Sequence, residues 1–465
     1  MGHACLLVES EGSVILIDPN LRESFREETF RFCPDRIVHL ERLPPPDVIL
    51  LSHRHRDHFD LASLTHFDRK TPIIYPQDPL MTYGLKQLGF VELMPTGDWE
   101  QYIRGDVSVV TTESCFADAS SDYQEHGFLI SSPDAVVWNL ADTIVTPEII
   151  SAVSKVAPDL DVIFYPFQPT RQLEVVTNRT TSFPYADYSQ RLRHLNYLKP
   201  KTLVPSSSGY RVAGANEWVN HFKFPVSRGQ FLADVEAHWP EINVLVMDPG
   251  DSIQKENGQF VLLCQGATNG FVETRTDDTA ARLFFNPVAR IDPIVDHNVN
   301  GYNATTVRDK IHDTFSTWID YINSDIERWA VWIEWGLTYR FRIIYANTEE
   351  SLVVDFSSHQ VRLSEVVPDR VDFQMDCAAS TLFGLMTGRM HFDHQMAGSI
   401  RTFSCMYRTS KYGVHSLAEL VPEYSEEVLD AFGLLRRLLN LDGKHPYRVM
   451  DWELGRLTKA AAKGK

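Results

Sequence analysis

Three histidines and an aspartate lie within six positions of the chain, in the stretch "SHRHRDH" (residues 52–58). His53, His55, Asp57 and His58 form the pattern H-x-H-x-D-H. An imidazole offers a neutral nitrogen lone pair at pH 7, which a solvated charged loop does not need. Residues two apart in an extended loop point the same way, so His53 and His55 can bind one cation while Asp57 and His58 turn toward a second. The pattern therefore predicts a binuclear metal site.

The elements around this stretch must hold it at the end of a strand. The apolar residues 48–51 that precede it predict a buried strand, and open α/β sheets carry their sites at the carboxyl ends of strands. Asp18 ends an earlier predicted strand, 14–18. A histidine-rich surface loop is the alternative, but the spacing, the strand and Asp18 all favour a metal site.

A later hairpin delivers another aspartate. The stretch "HGFLISSPDAVVWNLADT" predicts two strands joined by a turn at Ser132 and Pro133, and the second strand leads to Asp142. The helix predicted next has Thr146 at its N-cap. Asp142 is either a metal ligand or the N-cap of the following helix.

Length and pattern predict two domains, because 465 residues exceed one compact core. Hairpins and strand–helix units over residues 1–255 predict an α/β domain with two facing sheets flanked by helices. We interpret 256–304 as a linker region and 305–465 as a smaller α+β accessory domain.

Composition excludes several classes of partner. A formal net charge of −18 without a basic stripe argues against nucleic acid and anionic membranes. No apolar stretch approaches the roughly 20 residues that span a bilayer. Six scattered cysteines without a C-x-x-C pair fit free thiols in a reducing compartment. We therefore expect a cytoplasmic protein that acts on a small-molecule substrate.

On these residues the chain resembles the metallo-β-lactamase superfamily, which has an αββα sandwich fold. The resemblance covers about the first 255 residues and includes "GHACLLVE", "LIDP", "SHRHRDH" and "NLADT". It implies that Asp142 bridges the two metals. We accordingly assign Asp57 and Asp142 as catalytic residues.

The third ligand of the first metal is informative. Hydrolases of the superfamily usually have a histidine where the strand "VSVVTTES" ends, and this chain has Glu113 there. A carboxylate makes the site harder and shifts the preference from zinc toward iron or manganese. This departure resembles the di-iron β-hydroxylase of chloramphenicol biosynthesis. If Glu113 is instead a solvated acid, the argument for iron weakens. We interpret His126, the next histidine, as structural.

The segments "GHACL", "NYLKPKTLVPSSSGY" and "DPGD" resemble the lactamase-like part of the CMP-N-acetylneuraminate hydroxylases. Those hydroxylases also carry a Rieske cluster with C-x-H and C-x-x-H ligand pairs. None of the six cysteines here is followed by such a histidine, so we expect no cluster. Redox chemistry would then need the binuclear site and an external electron donor.

Further ligands and substrate contacts are less clearly marked. His221 in "EWVNHFKFP" is the candidate for the last metal ligand, with a surface histidine as the alternative. Arginine suits the binding of carboxylate or phosphate. The candidate substrate-binding residues are Arg171, Arg179, Tyr210 and Arg211, each of which is otherwise an ordinary surface residue.

The second half resembles a sterol-carrier-type α+β module, chiefly through "STLFGLMTGRMHFDHQMAGSIR". Such a module would hold an acyl chain or a carrier-bound substrate. The alternative is an accessory domain for packing or for homodimer formation.

Two enzymatic hypotheses follow. The first is an O2-dependent binuclear non-heme iron oxygenase, with two iron ions, that hydroxylates or N-oxygenates a small polar or carrier-bound metabolite. The second is a zinc-dependent hydrolase with two zinc ions. A purely structural metal site is disfavoured, because such sites usually use thiolates and no cysteine lies in the cluster.

Overall fold

The computed structural model describes residues 1–25, 28–115, 123–168, 182–207, 209–224, 226–263, 270–274, 290–404, 408–410, 413–415 and 429–463. The chain forms two compact units. The first comprises the described residues of 1–170, 182–213 and 220–287, and the second comprises 214–219 and the described residues from 290 onward. Within the described ranges, no helix combines the length and apolar character needed to cross a bilayer.

The first unit is built mainly from short strands. Its strands are β1 (Leu6–Ser10), β2 (Ser13–Ile17), β3 (Ser24–Phe25), β4 (Phe30–Phe32), β5 (Arg36–Val38), β6 (Val48–Leu50), β7 (Ile73–Pro76), β8 (Leu93–Thr96), β9 (Gln101–Arg104), β10 (Val107–Thr112), β11 (Gly127–Ser131), β12 (Val136–Asn139), β13 (Val162–Pro166), β14 (Thr202–Ser206), β15 (Tyr210–Val212), β16 (Asn243–Val244), β17 (Ser252–Glu256), β18 (Gln259–Leu263) and β19 (Val272–Thr274). Its α-helices are α1 (Leu61–Leu64), α2 (Pro79–Leu88), α3 (Pro147–Val156), α4 (Tyr185–Leu198) and α5 (Arg228–His238). A 3-10 helix, Leu40–Arg42, also belongs to this unit, and a second one, Gly214–Phe222, begins in residues of the second unit and ends in residues of the first.

Two sheets face each other in the first unit. Their strand orders are β1-β2-β6-β7-β8 and β16-β14-β13-β12-β11-β10-β9. Ile15 and Leu50 of the first sheet pack with Val109 and Phe128 of the second in one buried cluster. Leu129, the neighbour of Phe128, points to the opposite face and packs in a second cluster with residues of α3, α4 and α5. Helix α2 contacts β8 of the first sheet. The unit is the αββα sandwich that the resemblance implied.

Parallel pairing brings the ends of β2 and β6 side by side. Ile17 pairs with Leu50, so Asp18 lies next to the loop that follows β6. The predicted hairpin before Asp142 is confirmed, since β11 and β12 are antiparallel neighbours. Thr146 is the N-cap of α3, and its side chain accepts from the Ile149 N–H. The alternative role of Asp142 as that N-cap is therefore excluded.

The second unit is α+β. Its strands are β20 (Thr338–Ile344), β21 (Glu349–Asp355), β22 (Arg362–Ser364), β23 (Phe373–Ala378), β24 (Ile400–Ser404), β25 (Arg408–Ser410) and β26 (Gly413–His415). Its α-helices are α6 (Ala304–Ser324), α7 (Ala330–Glu334), α8 (Ala379–Met386), α9 (Ala431–Leu439) and α10 (His445–Lys463), with 3-10 helices at Ile326–Trp329 and Phe392–Ala397. The main sheet has the order β22-β21-β20-β23-β24, and its core includes residues of α6, α8 and α9.

The stretch predicted as a linker contains regular structure in its described part. β18 lies within 256–304 and pairs with β17, and β19 pairs with β5. These strands belong to the first unit. The domain limits drawn from the sequence and the sterol-carrier likeness stay predictions.

Candidate metal centre

The loop between β6 and α1 carries the H-x-H-x-D-H residues. It ends at Asp60, the N-cap of α1, whose carboxylate accepts from the Ser63 N–H at 2.9 Å. His53 and His58 are fully buried, and Asp57 is 8% exposed. The loop is therefore part of the interior, which excludes the alternative of a histidine-rich surface loop.

Asp18 anchors this loop from the end of β2. It has a positive φ of 44°, which aspartate tolerates better than most residues. Its carboxylate accepts from the Ser52 N–H at 2.7 Å and from the Ser52 hydroxyl at 2.6 Å. His58 Nδ1 lies 2.8 Å from the same carboxylate, so this nitrogen donates. The second ring nitrogen of His58, Nε2, is thereby left to face the other donors.

Ser52 orients His53 in the same way. Its hydroxyl gives its hydrogen to Asp18 and lies 2.9 Å from His53 Nδ1. The hydroxyl oxygen then accepts from His53 Nδ1, and His53 Nε2 keeps its lone pair. Asp18 and Ser52 together make both buried imidazoles present Nε2 to the centre.

One group of donors consists of His53, His55 and Glu125, whose ligand-capable atoms lie within 4.8 Å of one another. His53 Nε2 is 2.8 Å from His55 Nδ1 and 4.0 Å from Glu125 Oε1. The Tyr123 hydroxyl lies 2.9 Å from His55 Nε2, the outward nitrogen of that ring. Two imidazoles and a carboxylate at these separations can hold one divalent cation.

The second group lies on the other side of His58. His58 Nε2 is 3.2 Å from Asp142 Oδ2 and 3.9 Å from Asp57 Oδ2. His3 Nε2 lies 3.1 Å from the same Asp57 oxygen. Asp142 forms one cluster with both His53 and His58, so it stands between the two groups.

Burial and mutual proximity shift the pKa values of these side chains strongly. Burial, followed by the neighbouring imidazoles, lowers the pKa of His53 well below its usual range. Burial also acts to lower the pKa of His58, but the Asp142 and Asp18 carboxylates outweigh it and raise this pKa well above its usual range. Burial, with the nearby charge of Asp142, raises the pKa of Glu125 to about 7. So many buried titratable groups would be stabilised by cations between them, and the donor set fits a pair of divalent ions.

The structure brings together five of the predicted metal ligands: His53, His55, Asp57, His58 and Asp142. Glu113 is not among the clustered donors of the described residues, and the carboxylate that lies beside His53 and His55 is that of Glu125. The register explains this correction. Thr112 pairs with Gly127, so Glu113 continues opposite His126 and Ser114 opposite Glu125. His126 Nε2 lies 3.2 Å from Asp98 Oδ1, while the Ser114 hydroxyl donates to Glu125.

The remaining predicted residues are dispersed. His221 is exposed in the 3-10 helix Gly214–Phe222, and the clustered donors of the described residues do not include it. Arg211 Nη2 lies 3.9 Å from Asp35 Oδ2. The Tyr210 ring is perpendicular to that of His3, 5.8 Å away, so Tyr210 lies near the second group. The other two, Arg171 and Arg179, lie outside the described residues.

Four site residues were missed by the sequence reasoning: His3, Ser52, Tyr123 and Glu125. His3 stands in the "GHACL" segment that carried part of the family resemblance. Ser52 begins the histidine stretch itself. Tyr123 and Glu125 immediately precede the strand β11. No short sequence pattern marks these four residues as part of a site, because the contacts that define their roles join distant parts of the chain.

Comparisons with known proteins bear on the first unit. A family model described as a beta-lactamase superfamily domain matches residues 1–167, a range that contains all the clustered donors. A UPF0173 protein of Pyrococcus furiosus is 30% identical over 175 residues, which are 36% of this chain and 67% of that protein. A UPF0173 metal-dependent hydrolase of Caldivirga maquilingensis is 25% identical over 265 residues, 54% of this chain and 94% of that protein.

A third relative, from Mycolicibacterium smegmatis, is provisionally named a Rieske 2Fe-2S iron-sulfur protein. It is 28% identical over 149 residues, which are 30% of this chain, and the chain spans only 29% of that relative. Among solved structures, the diiron β-hydroxylase CmlA from Streptomyces venezuelae is similar with a TM-score of 0.34 and 20% identity, over 45% of this chain and 44% of that one. The family match and the shared length with the Pyrococcus relative show that the chain belongs to the metallo-β-lactamase superfamily.

Proposed function

We propose that the protein is a metal-dependent hydrolase that cleaves a small-molecule substrate at a binuclear centre. The position of Asp142 between the two donor groups supports this most directly. The Asp142 side chain is 34% exposed, against 10% for Asp57 and 8% for Glu125, so a substrate would approach on its side. The named hydrolase activity of the Caldivirga relative, which aligns over 94% of its length, supports hydrolysis as the reaction.

In this proposal His53, His55 and Glu125 would hold one cation, Asp57 and His58 would hold the other, and Asp142 is placed to contribute to both. Divalent cations bound there would supply Lewis acidity and lower the pKa of water toward neutrality. The contribution of the other residues is orientation. Asp18 and Ser52 hold the imidazoles in place through hydrogen bonds. Partners of this kind typically strengthen metal binding by about 10–100-fold.

His3 orients the Asp57 carboxylate. The Gly209 N–H donates to His3 Nδ1 at 3.2 Å, so in the neutral ring Nε2 carries the hydrogen. That hydrogen is donated to Asp57 Oδ2. His3 therefore acts in this proposal as a positioning residue that holds Asp57 toward its cation. Asp57 and Asp142 keep the catalytic roles assigned to them from the sequence.

Glu125 favours a second candidate function. A carboxylate in place of a third imidazole gives an oxygen-richer donor set, which iron or manganese accepts better than zinc does. This is the argument first made for Glu113, transferred to the carboxylate that lies beside His53 and His55. The alternative is an O2-dependent di-iron oxygenase that hydroxylates or N-oxygenates its substrate with an external electron donor.

The two candidates are separated by loading the purified full chain with either metal. We expect the zinc-loaded protein to bind two equivalents and to hydrolyse a member of a panel of p-nitrophenyl esters, anilides and bis(p-nitrophenyl) phosphate. Activity should disappear with chelation and return with zinc. Glu113→Gln serves as a matched control, since this acid lies outside the donor clusters.

If the zinc-loaded protein cleaves none of these substrates, while the iron-loaded protein consumes O2 with a chemical reductant, the hydrolase proposal fails and the oxygenase replaces it. Asp142→Asn should abolish O2 consumption in that case, which would tie the reaction to this centre.

A further inference from the structure

The guanidinium of Arg191 lies at the edge of the seven-stranded sheet that carries Asp142. Arg191 belongs to α4, and its Nη1 donates to the carbonyl oxygen of Pro166, the last residue of β13. β12 and β13 are parallel, and Asn139 pairs with Phe164. Pro166 therefore ends its strand beside the segment that leads from β12 to Asp142. Open α/β sheets bind their ligands outside such carboxyl ends.

The Arg191 guanidinium has donors left after this bond. The bond to Pro166 uses Nη1, whereas Nε and Nη2 have no hydrogen-bond partner among the described residues. Nε and Nη2 together form the edge with which a guanidinium binds both oxygens of a carboxylate. Arg22 uses this edge for Asp60 in the same unit, at 3.1 Å from Nε and 2.6 Å from Nη2. Arg191 thus presents a complete edge for an anion.

The charges around Arg191 do not neutralise it. Within the described part of the chain, no carboxylate lies within ion-pair distance of its guanidinium. Burial lowers the pKa of Arg191, and the charges of Tyr165, Asp142 and Asp187 offset this only in part. Asp187 is exposed, and the Asp142 carboxylate lies 3.2 Å from His58 Nε2. A partly buried cation in these surroundings is stabilised when an anion accompanies it.

The other charged groups nearby leave this positive charge in place. Burial, followed by the charges of Arg191 and Arg193, lowers the pKa of His194, so that ring is neutral at pH 7. Four carboxylates lie at the metal centre, those of Asp18, Asp57, Glu125 and Asp142. They would balance two divalent cations, so the charge of Arg191 would remain for a ligand.

Ser206 is a second polar group at this edge. It ends β14 and pairs with Pro166 across the parallel strands. The residue is 7% exposed, and its hydroxyl has no hydrogen-bond partner among the described residues. Buried hydroxyl groups are rarely left in this state, because it costs free energy. Its state is an independent sign that a ligand reaches the strand ends around Pro166.

We propose that Arg191 is a substrate-binding residue that holds an acidic group, a carboxylate or a phosphate, through Nε and Nη2 beside Asp142. Both groups offer two oxygens at the spacing of a guanidinium edge. The substrate of the metal centre would then carry a negative charge outside the bond that is cleaved. That the acid belongs to a substrate rests on the proposed function, whereas the binding of an acid by Arg191 does not.

The test is ligand-detected NMR on the zinc-loaded full chain. The probes are benzoate, phenyl phosphate and benzamide, the neutral counterpart of benzoate. Arg191→Gln removes the charge and keeps an amide donor. This variant should bind at least one of the two anions about tenfold more weakly, as loss of a charged hydrogen bond predicts. Its affinity for benzamide and its zinc content should equal those of the unaltered chain.

Arg193→Gln is the matched control, because Arg193 is exposed on the same helix and its substitution removes the same charge. It should leave the affinities for all three probes unchanged. In Arg191→Gln, the anion that loses more affinity identifies the acid as a carboxylate or a phosphate.

Two results would overturn the inference. The first is unchanged binding of both anions by folded Arg191→Gln, and the second is an equal loss of affinity for benzamide and the anions. If this variant does not fold, Arg191→Lys decides, because it keeps the charge without the two-donor edge. Binding of both anions by Arg191→Lys as tightly as by the unaltered chain would also overturn the inference. Anion binding that depends on Arg191, together with a failed hydrolase assay, would overturn only the proposed function.

Discussion

The two units bury their polar groups in different ways. In the first unit, the side chains of Asp18, His53 and His58 are fully buried and face one another through Ser52. In the second, the buried side chain of His445 donates through Nε2 to a backbone oxygen of Leu385 at 2.7 Å, within an apolar core. A histidine whose ring donates to one backbone carbonyl, and whose Nδ1 has no hydrogen-bond partner among the described residues, contributes to packing. Buried histidines and carboxylates that converge on one another need cations between them to be stable.

The backbone shows the same contrast. In the first unit eight described residues other than glycine have positive φ values, and four of them are His3, Asp18, Ala141 and Ser207. Each of these four residues belongs to a donor group or its anchor, precedes Asp142, or donates a hydrogen bond to the residue that does. In the described part of the second unit, the positive-φ residues are glycines apart from Asn298. Left-handed conformations of residues other than glycine cost free energy, and half of those in the first unit lie at or beside the centre.

This contrast implies that substitutions at the metal centre should remove metal while the chain still folds. The largest effect should come from Asp142→Asn. The asparagine amide is neutral, so it cannot replace the carboxylate as a ligand shared by the two metal positions. We expect metal content to fall from two equivalents per chain to one or fewer. Activity should fall by at least about a hundredfold, beyond the range for groups that only support ligands. Elemental analysis and a thermal melt measure the two outcomes.

Asp134→Asn is the matched control, because Asp134 is exposed in the β11–β12 turn of the same hairpin. It should retain both metals. Two full equivalents in Asp142→Asn would show that Asp142 does not connect the donor groups.

The next effect concerns the carboxylate beside His53 and His55. Glu125→Ala leaves two imidazoles at that position, so its metal affinity should fall by about a hundredfold, while the Asp57 and His58 position keeps most of its metal. Glu113→Ala should change neither position. Titration of the metal-free protein with zinc or iron(II) compares the two variants directly. Loss of metal in Glu113→Ala alone would restore the assignment made from the sequence.

The sequence predicts those features of the fold and the site that residues close together in the chain encode, and it misses those that depend on distant contacts. The H-x-H-x-D-H residues lie close together, and Asp142 follows a hairpin with a readable turn, so most of the clustered residues and the sandwich could be predicted. The choice between Glu113 and Glu125 depends on the pairing of Thr112 with Gly127, which no short pattern encodes. His3 is 54 residues from its partner Asp57, and only the folded chain reveals that contact.

A smaller effect is expected at Tyr123, which touches the outer nitrogen of His55. Tyr123→Phe keeps the ring and removes the hydroxyl, so His55 loses the partner that fixes its orientation. Metal affinity at the His53 and His55 position should fall by about tenfold. Tyr102→Phe is the control, since that hydroxyl bonds to Glu100. If Tyr123→Phe and the unaltered chain bind zinc with equal affinity, the contact between Tyr123 and His55 does not contribute to the free energy of metal binding.

The smallest effect on the centre should come from the second unit, where His445 affects stability alone. Burial lowers the pKa of His445 from 6.5 to about 4. Above pH 6.5 both the folded and the unfolded chain keep this ring neutral, and its full contribution to stability is present. As the pH falls from 6.5 to 4, the unfolded chain gains a proton that the folded chain excludes. The free energy of unfolding should therefore decrease over this window, by about 2 kcal/mol at pH 4.5.

His445→Gln isolates this contribution, because glutamine can still donate to the Leu385 oxygen but does not titrate. Amide hydrogen exchange of peptides from α8, measured at pH 7.5 and pH 4.5, reports local stability around that oxygen. The unaltered chain should lose about 2 kcal/mol more protection than the variant on acidification. Both proteins should bind the same amount of metal at pH 7.5. An identical pH dependence in the two proteins would show that His445 is protonated as easily in the fold as outside it. Loss of metal in the variant would instead contradict the distinction between His445, which contributes to packing, and the histidines of the metal centre.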